Sequence, residues 1–261
     1  MKSLSEKNRE LHQNLFDFGV LILVVKNICD SSEILGSRPE ILDTLFILSF
    51  LGLIGWKIST QHYKAWQVSL LIPLILVCGY SCVKMSFFYL VFTILCICGI
   101  QDVDLTLTMS RSARLKLALM GFHVVVYFAC MVVAPSMVTY SYREAGAPRY
   151  TFFAGHANTF SMYVLWAILE FYFAYYKKLN ITKIWLLWGV LYLTYVFTNS
   201  NTGMIVGTTC AVLLSITKIW KNRRFRIFNI LSGYLFIFFF YFVYYNIGYL
   251  HKDFWWIINC I

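Results

Sequence analysis

Residues 115–135 read LKLALMGFHVVVYFACMVVAP, a run in which Lys116, near one edge, is the only side chain of fixed charge. A helix of about 20 apolar residues, each rising about 1.5 Å, matches the hydrocarbon thickness of a bilayer, so this run reads as a membrane-crossing helix. Further apolar runs lie near 12–29, 41–58, 65–82, 85–100, 157–176, 183–199, 202–217 and 227–247. With 60% hydrophobic and only 13% charged residues in 261, the chain departs from the composition of a water-soluble domain. The sequence therefore predicts an all-α fold: a polytopic transmembrane helical bundle of about nine spans, forming a single multi-spanning membrane domain over 1–261. The first run is the least regular. Its apolar core, Phe18 to Val25, is flanked by Asp17 and Lys26, which suits a tilted, interfacial or uncleaved signal-anchor helix as well as a full span. No small-x-small cleavage site follows Val25.

Charge sets the expected orientation. With the N-terminus cytoplasmic, 16 of the 22 Lys and Arg residues fall on inner segments and six on outer ones: Lys26, Arg38, Lys84, Arg143, Arg149 and Lys252. The net charge of +10 then reads as an orientation signal and an attraction to anionic lipid heads, and no nucleic-acid partner is needed to account for it. Trp185, Trp188, Trp255, Trp256, Tyr140, Tyr142, Tyr244 and Tyr245 sit near span ends as interfacial aromatics. The eight cysteines lie mostly inside spans and read as small hydrophobes. No Cys or His spacing matches a zinc site, and neither a metal nor another cofactor is expected.

Chemistry is then sought where polar side chains persist at a membrane rim. The longest outer loop, about 136–157, holds Arg143, Glu144, Arg149 and His156, and a helix begins near Asn158. Two guanidiniums beside a helix N-terminus, with Asn158 or Thr159 as the cap, make an anion site suited to a phosphate or diphosphate. The plainer reading pairs Arg143 with a nearby carboxylate and Arg149 with lipid phosphate. The second polar place is the turn Thr198, Asn199, Ser200, Asn201, Thr202, Gly203. Its five consecutive polar residues exceed what capping requires. The helix that follows runs in the same direction as the one at Asn158, so the two N-termini can converge on one anion. Within the spans, His123 reads as a packing residue and Glu170 as a partner of Lys177 and Lys178.

Gly155-His156-Ala157-Asn158, followed some forty residues later by Thr198 to Gly203, resembles the bacterial polysaccharide repeat-unit polymerases. These are the Wzy-type polymerases of O-antigen, capsule and exopolysaccharide, related in fold to O-antigen ligases. The resemblance implies a metal-independent glycosyltransferase of the bacterial plasma membrane. Such an enzyme moves a growing chain from polyprenyl diphosphate onto a new lipid-linked oligosaccharide at the outer face. Its partners are that substrate, the lipid bilayer, and a flippase and chain-length regulator. It further implies that Arg143 and Arg149 bind the diphosphate and that His156 or Glu144 takes the acceptor proton. Asn158, Asn199, Ser200, Asn201 and Thr202 would then hold sugar or phosphate oxygens. Two departures are plain. Many relatives carry Ser-Arg-Thr where this chain has Ser200, Asn201 and Thr202, and such polymerases continue into a large outer loop and more spans. The second departure gives the expectation of a product truncated at its C-terminus, a loss that can remove activity. Two further classes are open: a lipid-linked sugar flippase or other transporter, with a polar cavity across the bilayer midplane, and a non-catalytic membrane component of polysaccharide export, tolerant of alanine at Arg143 and His156.

Overall fold

The structure is a computed structural model, and it describes residues 4–34, 36, 40–85, 89–142 and 148–219. Its helices in chain order are α1 (Leu4–Ser31), α2 (Glu40–Thr60), α3 (Ala65–Met85), α4 (Tyr89–Gly99), α5 (Leu105–Val133), α6 (Ala157–Tyr175), α7 (Ile181–Thr198) and α8 (Asn201–Ile219). Between α5 and α6 lies an antiparallel hairpin of β1 (Tyr140–Tyr142) and β2 (Pro148–Tyr150). The apolar runs thus coincide with helices throughout the described residues. The run at 227–247 lies outside them.

Among the described residues four helices, α2, α5, α7 and α8, are long and apolar enough to cross a membrane. The other helices of the expected nine spans do not meet that measure among the described residues. Helix α4 has 11 residues, about 16 Å at 1.5 Å per residue, half of a hydrocarbon core. Helix α1 carries charges at both ends and at Asp17, and α6 carries Asn158 and Glu170. Helix α5 begins ten residues earlier than its apolar run. Asp104 starts it, its carboxylate accepting from the Thr106 amide at 2.9 Å and from the Thr106 hydroxyl. These bonds hold the Asp104 carboxyl below its ordinary range.

The structure gathers into two units, Met1–Gly121 and Phe122–Ile261. In the first unit α1 and α2 pack against each other around Phe16, Phe50 and Ile54, all nearly inaccessible. Gly19 makes their close approach possible, since a Cβ there would lie 2.7 Å from Ile54 Cδ1. Helix α4 joins through Phe92, edge-on to Phe50 at 5.3 Å. The carbonyls left at its C-terminal end are met from the α2–α3 connection. Gln61 Nε2 and Tyr63 OH donate to Cys98 O at 2.6 and 3.1 Å, and the buried Lys57 donates to Gln101 O at 2.7 Å.

In the second unit α6, α7 and α8 follow one another through short turns and pack together. The buried residues of α8 are Gly203, Gly207, Ala211 and Ser215, small side chains every fourth position and so on one stripe. Such stripes let helix backbones approach closely in a bilayer, where packing rather than water exclusion drives association. A Cβ on Gly207 would lie 1.9 Å from Leu191 Cδ2, and one on Gly203 would lie 2.4 Å from Ser161 Oγ. Trp188 of α7, expected at an interface, donates its indole N–H to Thr208 of α8 at 2.9 Å. The outward residues Ile205, Val206, Val212 and Leu213 are exposed apolar surface suited to lipid.

Candidate functional site

The hairpin places one arginine. In its register Ser141 faces Arg149, while Tyr140 pairs with Tyr150 and Tyr142 with Pro148. Side chains alternate across a strand, so Arg149 points away from its tyrosine and proline neighbours. The tyrosine face packs on Tyr127 of α5, which is fully buried and donates its hydroxyl to Thr139 O at 2.7 Å. Phe152 and Phe153 both lie 5.1 Å from the Tyr127 ring, edge-on. Phe152 in turn meets Phe160 of α6 at 4.6 Å and Phe197 of α7 at 6.1 Å. Edge-to-face contacts of this kind contribute about 0.5–1.5 kcal/mol each beyond the area they bury.

The turn leading into α6 is bent against backbone preference. Phe152 and Phe153 have φ of 50° and 57°, the left-handed region that side chains other than glycine seldom occupy, and Gly155 follows at 70°. Left-handed residues of this kind cost about 1–3 kcal/mol each and persist where surrounding structure over-determines them. Here both rings are buried, and burying each phenylalanine contributes about 1.5–3 kcal/mol. The turn delivers His156, in extended conformation, to the N-cap of α6, and its Nδ1 accepts the Asn158 amide at 3.1 Å. The cap is therefore His156, in place of the expected Asn158 or Thr159. Histidine lacks the short polar stem usual at this position, so the sequence pattern does not reveal it.

Arg149 connects the two polar motifs. It is 3% exposed; Nε donates to Thr198 O at 2.7 Å, and Nη2 to Asn158 Oδ1 at 2.5 Å and to Asn199 O at 3.4 Å. Thr198 ends α7, and Asn199 is its left-handed C-cap, with its amide on Tyr195 O at 2.7 Å. The guanidinium thus sits at the negative end of the α7 dipole and meets carbonyls that a helix end leaves over. Sequence reading assigned Arg149 to a ligand diphosphate. In the structure it holds the end of α7 against the start of α6.

Ser200 follows, fully buried, and its Oγ has no hydrogen-bond partner among the described residues. Ser200 Oγ and Ser161 of α6 both border the space beside Gly203. Asn201 and Thr202 open α8 and are half-buried. The structure accordingly brings Arg149, His156, Asn158, Asn199, Ser200, Asn201 and Thr202 to the same ends of α6 and α8. Arg143 and Glu144 lie outside the described residues. Ser161 and Tyr127 are the members that the sequence pattern does not point to. The Gly203-x-x-x-Gly207 spacing was the available signal for the approach of α8 to Ser161.

Partial desolvation and, secondarily, the positive charge of Arg149 lower the His156 pKa below its ordinary value. The imidazole is then neutral at pH 7. With Nδ1 accepting an amide, the proton resides on Nε2, assigned from the hydrogen bond. His156 is exposed, so this arrangement offers an N–H donor to a ligand oxygen. A histidine held neutral by the fold favours folding above its unfolded pKa of about 6.5 and opposes it as pH falls through that value toward the folded one. Acidification from pH 7 to below 6 is expected to lower the protection of amides at the start of α6, measured as exchange relative to its intrinsic rate at each pH, and His156→Asn, which keeps a capping acceptor, is expected to remove that loss of protection. Hydrogen exchange followed by mass spectrometry measures both; a pH response unchanged in His156→Asn would reject the assignment.

No protein family, curated protein or solved structure matches this chain. Among the described residues no three His, Cys, Asp or Glu side chains gather as a metal site would require.

Proposed function

We propose that this chain is a multi-pass protein of the bacterial plasma membrane that polymerises lipid-linked oligosaccharide repeat units by glycosyl transfer from polyprenyl diphosphate. In this reading the chain crosses the membrane about nine times from a cytoplasmic N-terminus, with the α6 and α8 N-termini at the outer face. The observation that carries it is the Arg149 junction, which joins the two motifs of the polymerase resemblance at one place. Four long apolar helices support the membrane setting.

In the proposed reaction the acceptor hydroxyl attacks the anomeric carbon of the growing chain. The bond from that carbon to the diphosphate oxygen breaks, and polyprenyl diphosphate leaves with the electron pair. His156 Nε2–H donates to an oxygen of the departing diphosphate, where donors aimed at developing charge contribute most. Asn158, Asn201 and Thr202 hold sugar or phosphate oxygens. Arg149 positions these groups, Arg143 supplies the cation for the diphosphate, and Glu144 takes the acceptor proton, leaving His156 as donor.

The test is reconstitution of the full chain in vesicles with a polyprenyl-diphosphate-linked repeat unit, with products sized by gel. A ladder of lengths is expected, and His156→Ala should lower its rate by about 100-fold, the size of a lost oxyanion donor. Only single repeat units, or transfer of the labelled lipid across the bilayer without lengthening, would overturn the proposal in favour of no activity or of a flippase.

A further inference from the structure

A second polar constellation lies in the first unit, between α1 and α5. Asp17 of α1 is 1% exposed. Its carboxylate accepts from Gln13 Nε2 at 2.9 Å, from the Thr108 hydroxyl and from Arg111 Nη1. Gln13 also accepts the Asp104 amide at 2.6 Å, so the carboxylate is fixed from both helices. A buried carboxylate is costly unless its lone pairs are met; here they are met, and among the described residues it pairs with Arg111. The Arg111 side chain is 40% exposed, and Asp17 is the one hydrogen-bond partner shown for it among the described residues. The consequence is an oriented guanidinium with an outward edge, held from behind by a carboxylate as proteins hold a binding group.

That edge borders a cavity of about 300 Å³ lined by Asn14, Asp17, Phe18, Leu21 and Arg111. The α1 residues recur at three- and four-residue steps, one helical face, running from the amide of Asn14 to the exposed ring of Phe18 and then Leu21. One end of the cavity offers hydrogen-bond donors and the other apolar surface. Its level follows from α5, whose 29 residues extend about 44 Å, longer than a hydrocarbon core of about 30 Å. The excess falls at the N-terminal end, because Arg111, Arg114 and Lys116 are the fixed charges of α5 and all lie within its first 12 residues. Arg111 therefore lies where lipid headgroups lie.

We infer that this cavity binds the phosphate of an anionic membrane lipid, with Arg111 and Asn14 on the phosphate oxygens and the first acyl carbons along Phe18 and Leu21. Guanidinium suits the role because its planar fork matches phosphate oxygens. The site is separate from the Arg149 junction and independent of the polymerase reading.

The test uses the full chain, delipidated in detergent, with native mass spectrometry scoring retention of phosphatidylglycerol against phosphatidylcholine. One phosphatidylglycerol is expected to be retained at least tenfold more strongly. The double variant Asp17→Asn/Arg111→Gln removes the charge pair without leaving a buried charge alone and should lose that preference. Phe18→Ser and Asn14→Ala, both at exposed positions, provide an arm that does not disturb the buried network and should weaken retention by several-fold. Equal retention of the two lipids by the wild type, or an unchanged preference in both the double and the exposed variants, would overturn the inference. Displacement of the lipid by an equal concentration of inorganic phosphate would overturn the lipid assignment in favour of a free phosphate site.

Discussion

Arg149→Ala is expected to lower stability by at least about 3 kcal/mol, because each buried acceptor left unsatisfied costs about 1–3 kcal/mol and three acceptors lose their donor together. Those acceptors are Thr198 O, Asn199 O and Asn158 Oδ1. The C-terminal end of α7 would also lose the cation facing its dipole. Thermal unfolding in detergent, followed by circular dichroism, measures the loss. Arg149→Lys retains the charge but not the fork, and an intermediate melting temperature is expected. The two possible roles of Arg149 separate here. A positioning residue costs stability and activity together; a residue that only grips the diphosphate costs activity with the melting temperature unchanged, and that result would reject the junction.

The second large effect is expected at Tyr127. Truncation of a buried aromatic to alanine costs about 3–5 kcal/mol through lost burial and the cavity left behind. Tyr127 is fully buried among Phe128, Tyr140, Tyr150, Phe152 and Phe153. Its removal also withdraws the packing that holds the two left-handed phenylalanines, so the turn carrying His156 should relax. Tyr127→Ala should therefore raise amide exchange at residues 149–158 as well as lower the unfolding midpoint. Tyr127→Phe keeps the ring and loses only the bond to Thr139 O, a change of about 0.5–1.5 kcal/mol. Equal midpoints for the alanine and phenylalanine variants would show that the ring packing contributes nothing.

The helices were legible because each is an apolar run, and an apolar run of that length leaves the backbone little choice. Their status as spans was less so. Hydropathy records affinity for lipid, while helix formation depends on backbone hydrogen bonds. Helix α5 therefore continues through Arg111, Arg114 and Lys116, where the apolar signal stops. The hairpin was invisible because three-residue strands leave too short an alternation to read. Of the site, the two motifs were legible as polar residues placed against an apolar background. Their union through Arg149 was not, since it depends on a hairpin register and on a helix end 49 residues away in sequence. The buried network at Asp17 was likewise hidden: Gln13, Thr108 and Arg111 look unremarkable until α1 and α5 are side by side.

The small-residue stripe of α8 has a consequence for how this helix can vary. Positions 203, 207, 211 and 215 are buried and carry small side chains, so packing limits size there, and an added methyl at Gly203 or Gly207 would meet Ser161 or Leu191. Ile205, Val206, Val212 and Leu213 face outward, where any apolar residue serves and shape is unimportant. Substitutions along α8 are thus filtered by two rules that alternate with the helical repeat, volume on one side and solubility in lipid on the other. A polar residue of glycine-like size and a bulky apolar one would be accepted on opposite faces of the same helix.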